Sequence, residues 1–411
     1  MRILYITQWF DPEPAFKGAQ FARGLADRGH DVEILTGFPN YPGGKLYPAF
    51  RVRAYRHDVI SGLNVHRVPL YPSHDRSSLG RIANYLSFFL SVLIFGLFRA
   101  GRYDAIYVYH PPLTPALAAA LFCRWNNKPM VVEIQDLWPD SVAASGMAHP
   151  SVTRILTRLC DFVYRRADRV IAQSKGMRDK IESRGVSPKK LSVIFNWATY
   201  SQEADVPVPD AIAQSFSGRI NIVYGGNIGQ AQNLETVIRA AAVAHSTVPA
   251  IRLHLIGDGV EREKLQSLVD REGLPDVTRF FPPVPRDAMD RIFDAADILV
   301  MHLNSDPLYN ITIPSKTQHY LACGKPVIAG ISGNTADILR KSGAALVSTP
   351  EDVEAMADAM VRMASMDPEE RRAMGRAGLN CYQREFAFEQ AIDKTLDVIE
   401  LAAYRHNQNQ H

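Results

Sequence analysis

Cysteine is scarce in this 411-residue chain: Cys123, Cys160, Cys323 and Cys381 are the only four, with no CxxC pair and none beside a histidine at metal-ligand spacing. That spacing argues against a structural zinc and a disulfide framework, and fits a reducing compartment. HExxH, GxSxG and the DxD carboxylate pair that often holds a divalent cation are all missing. The first residues, MRILYITQWFDPEP, lack an apolar signal core and a small-residue cleavage site, and read as a strand entering a loop with no secretory signal expected. No apolar run reaches the ~20 residues of a membrane span. The longest, Tyr85 to Phe98, has 14 residues, and Arg76, Arg81, Arg99 and Arg102 lie near it. It reads as a core helix or as one lying in a membrane interface, an option its basic neighbours raise. Net charge is small too, +3 from 46 Lys and Arg against 43 Asp and Glu. Residues 1–200, however, carry 26 basic and 15 acidic residues, net +11, whereas 201–411 carry 20 and 28, net −8. That asymmetry points either to an anionic partner for the first half or to two domains of unlike composition. The basic pieces at Arg51-Val52-Arg53 and Arg165-Arg166 are not interleaved with aromatics, so no nucleic acid is expected.

What is present is alternation. Apolar strand runs at Ile3–Ile6, Val32–Thr36, Ala105–Tyr109, Met130–Ile134, Arg169–Ala172 and Leu191–Ile194 are separated by helical patterns, including Leu79–Arg99 and Leu113–Trp125. Residues 201–217 are polar, acidic and Pro-containing and read as a seam. A second series follows, with strands at Ile220–Tyr224, Arg252–Ile256, Val277–Phe281, Ile298–His302, Pro326–Ala329 and Ala345–Val347. Two such series imply two doubly wound, Rossmann-like α/β domains that bind ligands at the carboxyl ends of their strands.

Four constellations carry chemistry. Lys17-Gly18-Ala19 follows the first strand, where a small-residue loop before a helix lets backbone N–H groups approach an anion; an ordinary βα turn reads the same way. Tyr224-Gly225-Gly226-Asn227-Ile228-Gly229 occupies the corresponding place in the second series and favours a nucleotide diphosphate over NAD, since GxGxxG is absent. Pro314-Ser315-Lys316 opens a short helix, with Pro314 expected at its first position, that ends at Gly324. A cation in that first turn opposes the helix dipole, which makes sense if Lys316 meets an anion. Glu133-Ile134-Gln135-Asp136 closes a strand and leads to Asp140; Asp136 is read as the functional carboxylate and Asp140 as a helix cap.

Taken in order, these segments resemble the retaining glycosyltransferases of family four, which have the GT-B fold. The likeness rests on Arg28-Gly29-His30-Asp31-Val32, Ser192-Val193-Ile194-Phe195-Asn196, Leu255-Ile256-Gly257-Asp258-Gly259 and Ala322-Cys323-Gly324-Lys325-Pro326-Val327. The stretches from Gly226 to Glu235, from Pro314 to Pro326 and from Glu133 to Ser141 are similar to a branch that adds N-acetyl-L-fucosamine or related deoxysugars to undecaprenyl-diphosphate-linked glycans. The chain departs from the family at Asn227 and near Gln232, where an Arg and a Lys are common. It departs again at Ile311 and His319, where two glutamates stand eight apart, and at Gln135, where a His is common.

The resemblance implies two Rossmann-like domains facing across a cleft. The acceptor domain is 1–200, with a membrane-facing helix near 79–98, and the donor domain is 201–385. A terminal helix, 386–411, is expected to pack back toward the first domain. The implied activity is retaining transfer, without metal or cofactor, from a UDP-sugar to a polyprenyl-diphosphate-linked acceptor in bacterial surface polysaccharide synthesis. The place is cytoplasmic, peripheral to the anionic inner membrane; a UDP-sugar 2-epimerase is the alternative, and oligomeric state is open. Lys316, Asp136 and Gln135 are the expected catalytic residues. Lys17, Gly18, Gly226, Asn227, Gly229, Gln232, Gly257, Asp258, Val284, Ser315 and His319 are expected at the donor, and Glu133 and His110 at the acceptor.

Overall fold

The computed structural model describes residues 1–73, 78–138, 140, 150–200 and 206–408. The chain folds into two units, Met1–Phe195 with Glu389–His411, and Asn196–Phe388. Both are twisted sheets flanked by helices, as continuous apolar strands require when both faces are covered; the Ala105–His110 strand, for example, is buried at every position.

In the first unit the strands are β1 (Arg2–Ile6), β2 (Asp31–Gly37), β3 (Arg56–Ile60), β4 (Leu63–Val68), β5 (Ala105–His110), β6 (Met130–Ile134), β7 (Arg169–Ala172) and β8 (Leu191–Val193). Their order is β3-β4-β2-β1-β5-β6-β7-β8. All neighbours are parallel except the hairpin β3–β4, which the apolar-run reading passes over because β3 is an edge strand with alternating burial. Ser61 and Gly62, at φ 52° and 76°, make the two-residue turn that joins the pair. Tyr5 of β1 lies opposite both Ile34 and Tyr107. The winding direction reverses between β1 and β5, so the loops after them, ending at Gly18 and starting at His110, share the sheet's carboxyl edge.

The terminal helix Phe388–Gln408 contributes to this unit from Glu389 onward. Arg28 binds Glu389 at 2.5 Å and Asp393 at 2.8 Å, and His406 Nε2 meets the Asn127 carbonyl at 3.1 Å. Arg28 precedes β2 and Asn127 precedes β6, so this helix lies along the sheet's amino edge, away from the ligand-binding edge.

The second unit holds β9 (Ile220–Gly225), β10 (Ile251–Ile256), β11 (Thr278–Phe281), β12 (Ile298–His302), β13 (Val327–Gly330) and β14 (Ala345–Ser348), in the order β11-β10-β9-β12-β13-β14. Its core packs helices Leu234–Thr247 and Val353–Ser365 over the sheet through Ile222, Val237, Leu253, Val300, Met356 and Met360. Direction reverses between β9 and β12, which places the glycine loop after β9 at the switch point. The expected seam at 201–217 is not all linker: Asp210–Phe216 is helical, and 201–205 lie outside the described residues. Pro314 caps the short helix Ser315–Ala322 and is not its first residue.

Candidate functional site

The glycine loop of the second unit is pressed backbone to backbone against the loop after β10. Gly226 has φ 124° and Gly257 φ 145°, and a Cβ on Gly257 would lie 1.9 Å from the Gly226 carbonyl oxygen. Only glycine fits there, both sterically and conformationally. Gly226 N–H donates to Ile256 O (2.9 Å) and Ile228 N–H to Asp258 O (2.8 Å). Asp258 itself accepts from Gly259 N at 2.8 Å and so holds its own turn. Gln232 closes the loop: its Oε1 accepts from Gly229 N (3.1 Å) and Asn227 Nδ2 (3.2 Å). Thus Gly226, Asn227, Gly229, Gln232, Gly257 and Asp258 come together as expected, with Gly226 and Asn227 exposed.

Lys316 reaches into the same place. A Cβ on Gly226 would sit 2.9 Å from Lys316 Nζ, and the ammonium lies 4.8 Å from the Tyr224 ring centroid. No carboxylate forms an ion pair with it among the described residues. Its side chain is partly accessible yet deeply surrounded, and this desolvation, uncompensated by any counter-charge, lowers its pKa from 10.5 to about 8. Tyr320, one turn on, sets the helix in place by accepting from Gly225 N at 3.4 Å. Ser315 is exposed in the first turn, and Val284 is half-buried in the loop after β11. His319 departs from expectation. Its Nε2 is taken by the buried Asp290 carboxylate at 2.7 Å and its ring packs on Phe293 and Tyr200. These contacts make it a packing residue.

The sequence reading missed His302 and Asn304. His302 ends β12 and bridges the Gln232 carbonyl through Nδ1 (2.9 Å) and the Glu351 N–H through Nε2 (2.9 Å). Burial lowers its pKa, and one donating and one accepting nitrogen define the neutral ring. Asn304 braces the loop from its N–H to Ala231 O (2.9 Å) and from Nδ2 to Gln230 O (3.0 Å). A histidine closing an otherwise apolar strand at a switch point was the available signal. A recess of about 220 Å³ behind the loop is lined by Gly229, Glu235, Glu261 and Lys264. Its two carboxylates make it the wrong sign for a diphosphate.

In the first unit, three expectations are corrected. Lys17 is not offered to a ligand: it is 1% exposed and ion-paired at 2.5 Å with Glu133, itself 0% exposed. Glu133 also accepts from Tyr107 and from Gln135 Nε2, so it holds a core network together and is withdrawn from the acceptor. Nor is the helix start after Gly18 open to an anion. The Asp11 carboxylate already accepts from Ala19 N at 2.6 Å and would lie 2.3 Å from a Cβ on Gly18. Asp136 is different: the residue is exposed, yet its surroundings desolvate the carboxyl and raise its pKa, and its carboxylate has no hydrogen-bond partner among the described residues. Gln135 beside it is tied to Gln173. Asp140 is paired with Arg184. The segment it was expected to cap lies outside the described residues. His110 ends β5, fully buried, with neither ring nitrogen partnered among the described residues and its pKa lowered to about 4 by burial. Among the described residues no cluster of three His, Cys, Asp or Glu side chains is placed to hold a metal ion.

Residues 19–197 match the glycosyl transferase 4-like domain, and residues 210–380 match glycosyl transferases group 1. The chain is 28% identical over 415 residues to a putative colanic acid biosynthesis glycosyl transferase, WcaI, of Escherichia coli (strain K12), covering 96% of this chain and 97% of the relative. It is 25% identical over 262 residues to a probable glycosyltransferase, WbjE, of Pseudomonas aeruginosa, covering 62% and 63%. Among solved structures, Anabaena Alr3699/HepE in complex with UDP superposes with TM-score 0.67 at 16% identity, over 97% of this chain and 100% of that one. This likeness establishes the GT-B fold.

Proposed function

Since this chain joins a glycosyl transferase 4-like domain to a glycosyl transferases group 1 domain, we propose that it is a retaining glycosyltransferase that moves a sugar from a UDP-sugar to a polyprenyl-diphosphate-linked glycan without metal. The observation that carries the donor half is Lys316: a desolvated cation, unpaired among the described residues, beside the exposed glycine loop at the β9/β12 switch point. The departing diphosphate would take the Lys316 charge and, of the loop's backbone donors, the Asn227 N–H, since those of Gly226, Ile228 and Gly229 already donate within the protein. Such donors stabilise negative charge as it develops, because they are already oriented when the bond breaks. A cation in that place performs the neutralisation that a divalent ion performs elsewhere, and this supports the metal-free reading. Ser315 and Val284 are assigned to the donor on their position. In the first unit, Asp136 and Gln135 are assigned to the reacting hydroxyl of the acceptor, and His110, 0% exposed, is withdrawn from it as Glu133 is. A raised carboxyl pKa suits a group that accepts a proton near neutrality.

UDP as nucleotide is supported by the UDP complex of the Anabaena structure. Surface polysaccharide is supported by the colanic acid assignment of the Escherichia coli relative. An N-acetylated deoxyhexosamine such as N-acetyl-L-fucosamine is the proposed sugar, on the branch resemblance, and the cytoplasmic face of the inner membrane is the proposed place. Both domain matches are to glycosyl transferases, so the epimerase alternative is set aside. The experiment is a screen of UDP-sugars against undecaprenyl-diphosphate-GlcNAc in EDTA, read by mass spectrometry, with wild type and Lys316→Ala. Turnover in EDTA is expected, with Lys316→Ala lowered about 10²–10³-fold. A strict metal requirement, or an unimpaired Lys316→Ala enzyme, would overturn the corresponding part of the reading.

A further inference from the structure

Helix Ser78–Arg99 of the first unit is apolar on both sides. Phe88, Val92 and Phe95 are buried. The opposite side carries Leu79, Ile82, Leu86, Leu90, Ile94 and Phe98, which are 51–85% exposed. At three- to four-residue spacing these six form one stripe about 28 Å long. A stripe of that length is larger than the scattered apolar residues any soluble surface carries.

The neighbouring helices extend it. Helix Leu113–Asn126 packs beside Ser78–Arg99, and Pro150–Arg166 beside that in turn. Their outward positions add Leu121, Trp125 at 80% exposure, Val152 and Ile155. Between and around these lie the exposed Arg102, Arg124, Arg154, Arg158, Arg165 and Arg166, none of which forms an ion pair among the described residues. The three helices hold one acidic residue, Asp161.

We infer that this three-helix face is a lipid-docking surface that lies in the interface of an anionic bilayer, with the 79–98 stripe in the acyl boundary and the arginines at the headgroups. Two features choose a membrane over a protein partner. A protein interface excludes unpaired charge from its apolar centre, whereas an anionic headgroup layer lies directly beside acyl chains and satisfies both kinds of side chain at once. Trp125 has the amphipathic ring that the interface favours. The helix is not required to span: its buried face belongs to the core of the unit. The surface deepens the lipid-linked-acceptor reading and rests on it for its purpose, though its evidence comes from the surface alone.

The test is co-sedimentation of the full chain with vesicles of phosphatidylcholine alone and of phosphatidylcholine with phosphatidylglycerol, without any sugar substrate. Binding to the anionic vesicles is expected, weakening as salt rises. Leu90→Asp/Ile94→Asp is expected to lose it with the melting temperature kept, since both side chains point outward. Arg154→Glu/Arg158→Glu is expected to weaken it about tenfold or more. Three results would each overturn the inference: no binding at low salt, variants that bind like wild type, or a concentration-dependent dimer dispersed by Leu90→Asp/Ile94→Asp, which would mean that a second copy covers the face. A chain that binds vesicles but turns over no UDP-sugar would sink the catalytic reading alone; one that turns over a short-chain, water-soluble acceptor but binds no vesicle would sink this one alone.

Discussion

Lys316 holds its charge in a place that disfavours it, and that conflict has two measurable signs. Its folded pKa, about 8, lies below the ordinary 10.5. The unfolded chain therefore binds this proton more tightly, so the charged lysine costs stability below pH 8. The cost fades between about pH 8 and 10.5 and is gone above that. Lys316→Met is accordingly expected to melt at an equal or higher temperature at pH 7 while losing turnover. A bound diphosphate favours the charged form, so UDP affinity is expected to fall by about tenfold between pH 7 and 9, and calorimetry should find that fall missing in Lys316→Met. Lys17 is the contrasting case. Burial lowers its pKa while Glu133 opposes that shift, and both side chains lie inside the core. Lys17→Ala would leave Glu133 buried and unpaired and is expected to cost about 3–5 kcal/mol of stability, read by denaturant unfolding, with the donor affinity of the folded fraction unchanged. Lys17's role does not follow from its neighbours in sequence, since a small-residue loop before a helix start suits an exposed anion-binding lysine equally well.

At the scale of elements, the donor loop is held by contacts between segments. The turns after β9 and β10 touch through Gly226 and Gly257, and His302 at the end of β12 pins the loop's far end at Gln232. Gly257→Ala would add a methyl group 1.9 Å from the Gly226 oxygen at φ 145°. It is expected to weaken UDP binding at least tenfold by displacing the loop, with most of the fold retained because the strands behind it are untouched. Calorimetric titration of UDP checks this, and unchanged affinity would show that the loop does not hold the nucleotide. The glycine loop itself was readable, because strand, glycines and helix follow one another directly. His302 and Asn304 were not, because they reach the loop from about seventy residues away. The helix start after Gly18 shows the converse: its local sequence suits an anion, and Asp11, from the preceding loop, already fills the position.

For the whole molecule, the near-zero total of +3 conceals +11 in residues 1–200 and −8 beyond. Structure turns part of that excess into a surface, because three consecutive crossover helices lie side by side and expose their arginines together. Vesicle binding that depends on them should fall steeply with salt, the Debye length shrinking from ~30 Å at 0.01 M to ~8 Å at 0.15 M. Apolar strands alternating with helices already determined two doubly wound sheets, since parallel strands need crossover helices and right-handed crossovers leave few alternatives. The glycine loop and Lys316 were also marked in the sequence, because each sits at a strand or helix end that periodicity locates. Only the tertiary structure decided which charged groups were free. It buried Lys17 on Glu133, engaged His319 with Asp290, left Lys316 and Asp136 without protein partners among the described residues, and turned one side of helix Ser78–Arg99 outward. Pairing and exposure depend on which distant segments meet, and periodicity along one chain carries no record of that.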